Sequence, residues 1–169
     1  IEGDICDEAH LTNAMTTFKP DIVFHLAAQA LVKLSYIDPV KTFSTNVMGS
    51  LNLLQAVNNC PSVQSVVYVT SDKCYENVEW EWGYREMDML GGHDPYSGSK
   101  AAAEIVFSSY TRSFYHDRPN FGAASVRAGN VIGGGDYSLD RIVPDCIRAI
   151  RQNDPIKLRS PKSTRPWQH

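Results

Sequence analysis

Ser65-Val66-Val67-Tyr68-Val69-Thr70-Ser71-Asp72-Lys73 and, further along, Tyr96-Ser97-Gly98-Ser99-Lys100 decide how this chain is read. The first stretch begins as an apolar, β-branched run of strand length and closes on polar residues, and the second opens a long helix-like segment. On a helix, Tyr96 and Lys100 stand four residues apart on one face, so the ammonium can sit beneath the phenol and favour its ionised form. A phenol that ordinarily titrates at about 10 would then serve as a base nearer neutral pH. The same spacing also suits an ordinary surface pair, so the surrounding residues have to decide.

Working outward, Asp21-Ile22-Val23-Phe24-His25-Leu26-Ala27-Ala28 is a continuous apolar run that suits a parallel strand buried on both faces. Before it, Gly3 to Asp7 reads as a turn, with Asp7 capping a helix through Phe18 that Lys19-Pro20 stops. After it, Asp38-Pro39 starts a helix, and Val40, Phe43, Val47, Leu51, Leu54 and Val57 recur at helical spacing to Asn59. Cys74 to Pro95 is too irregular for either element and reads as an active-site loop or lid. Its Trp80 and Trp82 either face a ligand or pin the loop to the core. Tyr96 to His116 is a second long helix, whose stripe of Ile105, Val106, Tyr110 and Phe114 serves either the core or a subunit interface. Phe121 to Arg127 gives a third strand, Arg141 to Asn153 a further helix, and Pro155 to Leu158 a short fourth strand.

The order is βαβαβαβ. It predicts an α/β fold with a Rossmann-like, doubly wound parallel sheet, incomplete at both ends, with helices on both faces and ligands beyond the carboxyl ends of the strands. His25 to Ala28, Thr70 to Lys73 and Arg127 to Asn130 are three such ends, expected to converge on one crevice. Gly133-Gly134-Gly135-Asp136 follows a strand but opens no helix in a G-x-G-x-x-G frame, so it is either a close approach of backbone to ligand or a flexible turn.

Composition narrows the class. A chain with 43% apolar and 21% charged residues and a net charge of −3 has the balance of a globular protein and no basic field for nucleic acid. It has neither an apolar run of membrane-spanning length nor a charged-then-apolar leader, so no membrane association is expected and the cytoplasm is the default location. Cys6, Cys60, Cys74 and Cys146 form no C-x-x-C pair and read as free thiols. The histidines show no ligand spacing, and no metal is assigned.

Taken in order, six motifs resemble the extended short-chain dehydrogenase/reductase family, in particular its sugar-nucleotide dehydratases. They are Gly3-Asp4-Ile5, His25-Leu26-Ala27-Ala28-Gln29, Thr45-Asn46-Val47-Met48-Gly49, Thr70 to Tyr75, Tyr96-x-x-x-Lys100, and Arg127-Ala128-Gly129-Asn130-Val131-Ile132-Gly133-Gly134-Gly135-Asp136. Ser71 to Asn77, Trp82 to Glu86 and Arg165-Pro166-Trp167-Gln168-His169 are most similar to the branch acting on CDP-glucose. The resemblance implies NAD as cofactor, a nucleotide-sugar substrate, a role in deoxysugar and O-antigen synthesis, and a homodimer or dimer-based oligomer.

It also implies roles. Asp4 and Ile5 would hold the adenine, and Ala27 and Ala28 would pass along the phosphate and ribose. Tyr96 and Lys100 match the catalytic pair, with Lys100 also on the nicotinamide ribose. Ser71 would bond the sugar's 4-oxygen, Asp72 would be the acid of dehydration, Asn130 would contact the sugar nucleotide, and Arg165 its diphosphate. Asn46 is left between ribose positioning and structural hydrogen bonding. The implied reaction oxidises C4, eliminates water across C5 and C6, and returns the hydride to C6.

Two departures stand out. Lys73 occupies the place where dehydratases for other nucleotide sugars carry the glutamate that removes the C5 proton. An ammonium has no lone pair, so Lys73 is expected to stabilise the C4 enolate, with proton removal shared with another group. The family's glycine-rich β-α turn, moreover, would precede Ile1. Residues 1–153 are therefore expected to be a partial dinucleotide-binding domain lacking its N-terminal glycine-rich β-α-β unit, and residues 154–169 the start of a substrate-binding portion. Such a segment is expected to be inactive, to bind NAD weakly or not at all, and to present Asp21 to Ala28 as an open apolar edge. A related epimerase or another nucleotide-sugar dehydratase is the alternative within the family, and a non-catalytic dinucleotide-binding regulator the alternative outside it.

Overall fold

Asp7 opens the first helix by accepting the His10 amide at 2.9 Å, and Lys19 closes it in the left-handed region at φ 49°, directly before Pro20. The structure, a computed structural model, describes residues Ile1–His169. This helix, α1 (Glu8–Phe18), leads into β1 (Ile22–His25), the short α2 (Val32–Ile37) and the long helix α3 over residues 39–58. Pro39 occupies the first turn of α3 and the Asp38 carboxylate accepts the Lys41 amide at 2.9 Å. Midway, Ser44–Gly49 widens into a π-helical turn.

β2 (Ser65–Val69) follows, then a 3₁₀ turn at Asp72–Cys74, an irregular loop, and α4 over residues 95–115. The Asp94 carboxylate caps α4 by accepting the Ser97 amide at 3.0 Å and the Ser97 hydroxyl at 2.6 Å. β3 (Gly122–Val126) completes a three-stranded parallel sheet in the order β1-β2-β3, with Ile22 opposite Ser65 and Ser65 opposite Gly122. Helical crossovers between parallel neighbours are the connection such a sheet requires.

Two compact units divide the chain, Ile1–Arg127 and Ala128–His169. This division by packing falls earlier than the 153/154 boundary read from the sequence, which separates expected functions. In the first unit the core is Met15 from α1, Leu54 and Val57 from α3, Val66 and Tyr68 from β2, and Phe107 and Tyr115 from α4. These residues fill one face of the sheet, at about 1.5–3 kcal/mol for each large side chain removed from water. The second unit holds β4 (Asn130–Val131), α5 (Ile142–Gln152) and β5 (Trp167–Gln168), with β4 and β5 paired parallel.

Four expectations need correction. Pro155 to Leu158 is not a strand; two apolar residues in alternation are too weak a signal to fix one, and the partner of β4 is Trp167–Gln168. β1 and β3 are open on one face, where Phe24 is 64% exposed and Ile22 and Val126 are exposed as well, whereas the central β2 is partly buried on its second face. The strand read over residues 21–28 is limited to Ile22–His25, beyond which the backbone leaves the sheet. Helix α2 lies in a segment for which no element was expected. No helix is long and apolar enough to cross a membrane.

Candidate active site

Because β1, β2 and β3 run parallel, His25 to Ala28, Thr70 to Lys73 and Arg127 end on the same edge of the sheet. Ser71 caps the 3₁₀ turn there: its hydroxyl accepts the Lys73 amide at 3.2 Å and donates to the Asp72 carboxylate at 3.2 Å. That turn packs against α4, whose first turns carry Tyr96 and Lys100. Ser71, Tyr96 and Lys100 are buried, whereas Asp72 and Lys73 are half-buried. All five expected catalytic residues therefore lie in one neighbourhood.

The helix that presents Tyr96 is pinned from several sides. The Tyr96 amide donates to the Ser35 hydroxyl of α2 at 3.2 Å, which itself donates to Val32 O at 2.7 Å. Asn46, in the π-helical turn of α3, donates to the Ser99 hydroxyl at 2.8 Å and to Gln29 O at 3.1 Å, while accepting the Gln29 amide at 2.8 Å. The Ser99 hydroxyl in turn donates to Tyr96 O at 2.7 Å. These bonds of Asn46 link the segment beyond β1 to the start of α4.

Charge in the site is set by burial. Lys100 is 7% exposed; desolvation lowers its ammonium pKa, while Cys74 and Glu104 act in the opposite sense. Burial, and then the Lys100 charge, pushes His25 down to about 4, so its imidazole is neutral at physiological pH. Because the Ser50 hydroxyl donates to Asn46 O at 2.7 Å, the His25 Nε2 proton is assigned to the 2.9 Å bond between His25 and Ser50.

The residues expected at the cofactor lie in the same unit. Asp4 and Ile5 form a tight turn, Asp4 Oδ1 accepting the Cys6 amide at 2.9 Å and Ile5 O accepting from Asn52 of α3 at 3.1 Å. The Ile5 side chain fills the space that a Cβ on Gly49 would occupy, at 2.6 Å, so only glycine at that point of α3 lets the turn approach. Ala27 is exposed and Ala28 half-buried beyond β1, leaving small side chains along the strand end. Asn130 and Arg165 belong to the second unit, where both line an open cavity of about 740 Å³ beside α5.

The loop between the 3₁₀ turn and α4 is folded back on itself. Glu76 N donates to Met89 O at 2.9 Å and Gly91 N to Cys74 O at 2.9 Å, and Tyr75 stacks on Tyr84 with ring centres 5.1 Å apart. Trp80 lies 5.5 Å from Tyr84 of the same loop, and both Trp80 and Trp82 are exposed, so neither packs into the core.

Residues 1–169 match the model of the NAD dependent epimerase/dehydratase family throughout. The chain belongs to the NAD dependent epimerase/dehydratase family.

Within this epimerase/dehydratase family, the chain is 53% identical over 171 residues to a CDP-glucose 4,6-dehydratase of Salmonella typhimurium, an alignment covering 99% of this chain and 48% of that relative. It is 31% identical over 153 residues to the dTDP-D-glucose 4,6-dehydratase of Homo sapiens, covering 90% of this chain and 41% of the other. The UDP-glucose 4-epimerase of Thermus thermophilus, solved in complex with NAD, superposes with a TM-score of 0.83 at 30% identity over 98% of this chain and 54% of its own. The dTDP-glucose 4,6-dehydratase DesIV of Streptomyces venezuelae, solved with NAD, shares the fold at a TM-score of 0.85 and 24% identity, over 99% of this chain and 49% of its own. The chain spans about half the length of the curated relatives it matches.

The sequence reading of this epimerase/dehydratase family member gave no role to Ser35, Thr70, Ser99, Glu104 or Arg127; Ser35 and Ser99 bond the Tyr96 backbone, Thr70 directly precedes Ser71, and Glu104 accepts from both Thr70 and Arg127. Ser99 and Glu104 stand three and eight residues after Tyr96, a helical spacing that would have placed both on its side of α4. Ser35 carries no sequence signal, because its bond to Tyr96 spans 61 residues.

Proposed function

We propose that the complete protein carrying this chain dehydrates CDP-glucose to CDP-4-keto-6-deoxyglucose and is therefore a lyase. The observation that carries this reading is the Ser71-Asp72-Lys73 turn packed against the Tyr96/Lys100 helix, in a chain 53% identical to a CDP-glucose 4,6-dehydratase. The 31% identity to a dTDP-glucose enzyme makes another nucleotide-sugar dehydratase the second reading.

NAD fits the residues present. Lys100 is a buried ammonium that pairs with no carboxylate, which suits ribose hydroxyls and a phenolate, and the small Ala27 and Ala28 leave room for phosphates at the strand end. Asp4 and Ile5 would hold the adenine, and Tyr96 and Lys100 the nicotinamide ribose. When bound, NAD supplies a reversible hydride acceptor for C4 of the sugar.

Tyr96 takes the proton of the 4-hydroxyl, Lys100 stabilises its ionised form by charge, and Ser71 bonds the 4-oxygen. A ketone at C4 makes the C5 proton acidic, which is why oxidation precedes elimination. Lys73 stabilises the resulting enolate with its positive charge, and Asp72 protonates the departing 6-hydroxyl. Asn130 and Arg165 contact the sugar nucleotide, Arg165 by its diphosphate. Residues 1–153 contribute to dinucleotide binding and 154–169 to substrate binding.

The outward faces of α3 and α4, with Val40, Met48, Ile105 and Phe114 exposed, suit a second copy of the chain. A cytoplasmic setting follows from the substrate class, since nucleotide sugars and NAD are intracellular metabolites. The test is to incubate the complete protein with NAD and, separately, CDP-glucose, dTDP-glucose and GDP-mannose. A 4-keto product from CDP-glucose is expected, and product from dTDP-glucose alone would move the assignment to the second reading.

A further inference from the structure

Glu104 lies one turn beyond Lys100 on α4, is 4% exposed, and reaches the ends of two strands. Its Oε1 accepts the Thr70 hydroxyl, directly before Ser71, while Oε2 accepts the Ser125 hydroxyl at 3.1 Å and Arg127 Nη2 at 2.8 Å. Burial alone would raise this carboxyl, but the hydrogen bonds from Arg127, Thr70 and Ser125 outweigh it and hold the pKa below the ordinary value. Donating to Glu104 in turn raises the Arg127 guanidinium, so the two remain charged.

Arg127 also faces the loop. Its Nη1 donates to Glu86 O at 3.0 Å, 41 residues away, and its guanidinium carbon sits 4.9 Å from the centre of the Tyr75 ring. Tyr75 belongs to the outgoing limb of the loop and Glu86 to the returning limb, so one side chain grips both. Tyr75 immediately follows the 3₁₀ turn that carries Asp72 and Lys73.

A buried ion pair adds little net stability over apolar residues of the same volume. What it adds is fixed direction: the planar fork of arginine serves Glu104, Glu86 O and the Tyr75 face at once, which a lysine ammonium cannot do. We infer that Glu104 and Arg127 are positioning residues for the elimination step, fastening the Ser71–Lys73 turn and both limbs of the loop over residues 74–91 to the helix that carries Tyr96 and Lys100. The chemical part of this inference rests on the dehydratase reading; the anchoring does not.

Arg127→Lys and Glu104→Gln in the complete protein test it. The first keeps the buried charge but loses the fork, and the second keeps the shape and loses the charge. Two quantities are read: amide hydrogen exchange over residues 74–91, and, during turnover of CDP-glucose with NAD, the absorbance of reduced nicotinamide against product. In Arg127→Lys, exchange over 74–91 is expected to rise about tenfold while β2 and α4 keep wild-type protection. Reduced nicotinamide is then expected to form only slightly more slowly and to decay about tenfold more slowly, because the first step draws on the turn through Ser71 alone whereas the elimination needs both Asp72 and Lys73. Glu104→Gln is expected to give the same pattern, so a folding defect in one variant leaves the other to decide. Unchanged exchange over 74–91, loss of protection across the whole sheet, or equal slowing of both steps overturns the inference. If the wild-type protein does not dehydrate CDP-glucose, the proposed function fails by that result, and the exchange measurement alone decides the anchor.

Discussion

Asn46 Nδ2 donates to Ser99 Oγ at 2.8 Å across 53 residues, joining the π-helical turn of α3 to the first turns of the helix that presents Tyr96. The same amide serves Gln29 N and O just beyond β1, so one side chain holds three elements that meet at the site. A π-helical turn displaces the residues after it around the helix, and here it sits where Asn46 has to point at both partners.

Replacing Asn46 by leucine leaves the Gln29 amide, the Gln29 carbonyl and the Ser99 hydroxyl without this partner in a buried setting. A loss of about 2–4 kcal/mol is expected, read as a lower urea midpoint at unchanged slope. A midpoint equal to wild type would mean that water or a shifted neighbour satisfies all three groups.

His25 makes stability depend on pH. Unfolded, its imidazole titrates at 6.5; folded, burial and then Lys100 hold it at about 4. The unfolded chain binds this proton at the higher pH, so the native advantage is complete above 6.5 and is lost as pH falls from 6.5 through about 4. The full effect is about 3 kcal/mol. Unfolding free energies taken across that window should fall with acid, and His25→Asn should flatten the fall.

Arg118 closes the far end of α3. Its guanidinium donates to Val57 O at 3.0 Å, Cys60 O at 2.7 Å and Val63 O at 2.8 Å, and lies 4.4 Å from the Phe121 ring centre. Lysine cannot reach three carbonyls and a ring together, so Arg118→Lys is expected to cost about 1–2 kcal/mol and Arg118→Ala about 2–4 kcal/mol by chemical denaturation. Equal stability of the lysine variant would show that charge alone caps the helix.

Lys73 is expected to act on the enolate rather than as the sole C5 base. Solvent deuterium should still enter C5 in Lys73→Ala, at a rate about 10²–10³-fold lower, as befits loss of one stabilising charge. Lys73→Glu restores a lone pair and should recover part of the exchange. Wild-type exchange in the alanine variant would remove Lys73 from this step.

Much of the fold could be read locally. Asp7 and Asp38-Pro39 mark helix starts whose caps form as the residue types demand, and Ser65 to Val69 is a strand by its β-branched run. Tyr96, Lys100 and the Ser71-Asp72-Lys73 turn were legible as a group because each follows directly from an element boundary. Helix α2 was not, since Leu31 offers its N-terminus no side-chain cap and six residues are too few to show a period. Nor were the Glu104–Arg127 pair and the Ser35 bond to Tyr96, because their partners are 23 and 61 residues away and meet only once the parallel sheet has formed. Phe24 and Ile22 read as doubly buried because a run of apolar residues states what a strand can bury, and not what lies over it.

The most direct test of the proposed dehydration is the fate of the hydrogen at C4. CDP-glucose carrying deuterium at C4 is given to the complete protein with NAD, and the product is examined for the label. The predicted result is deuterium at C6 of a 4-keto-6-deoxy sugar. Deuterium retained at C4 of an intact hexose, as an epimerase would leave it, or no product at all would contradict it.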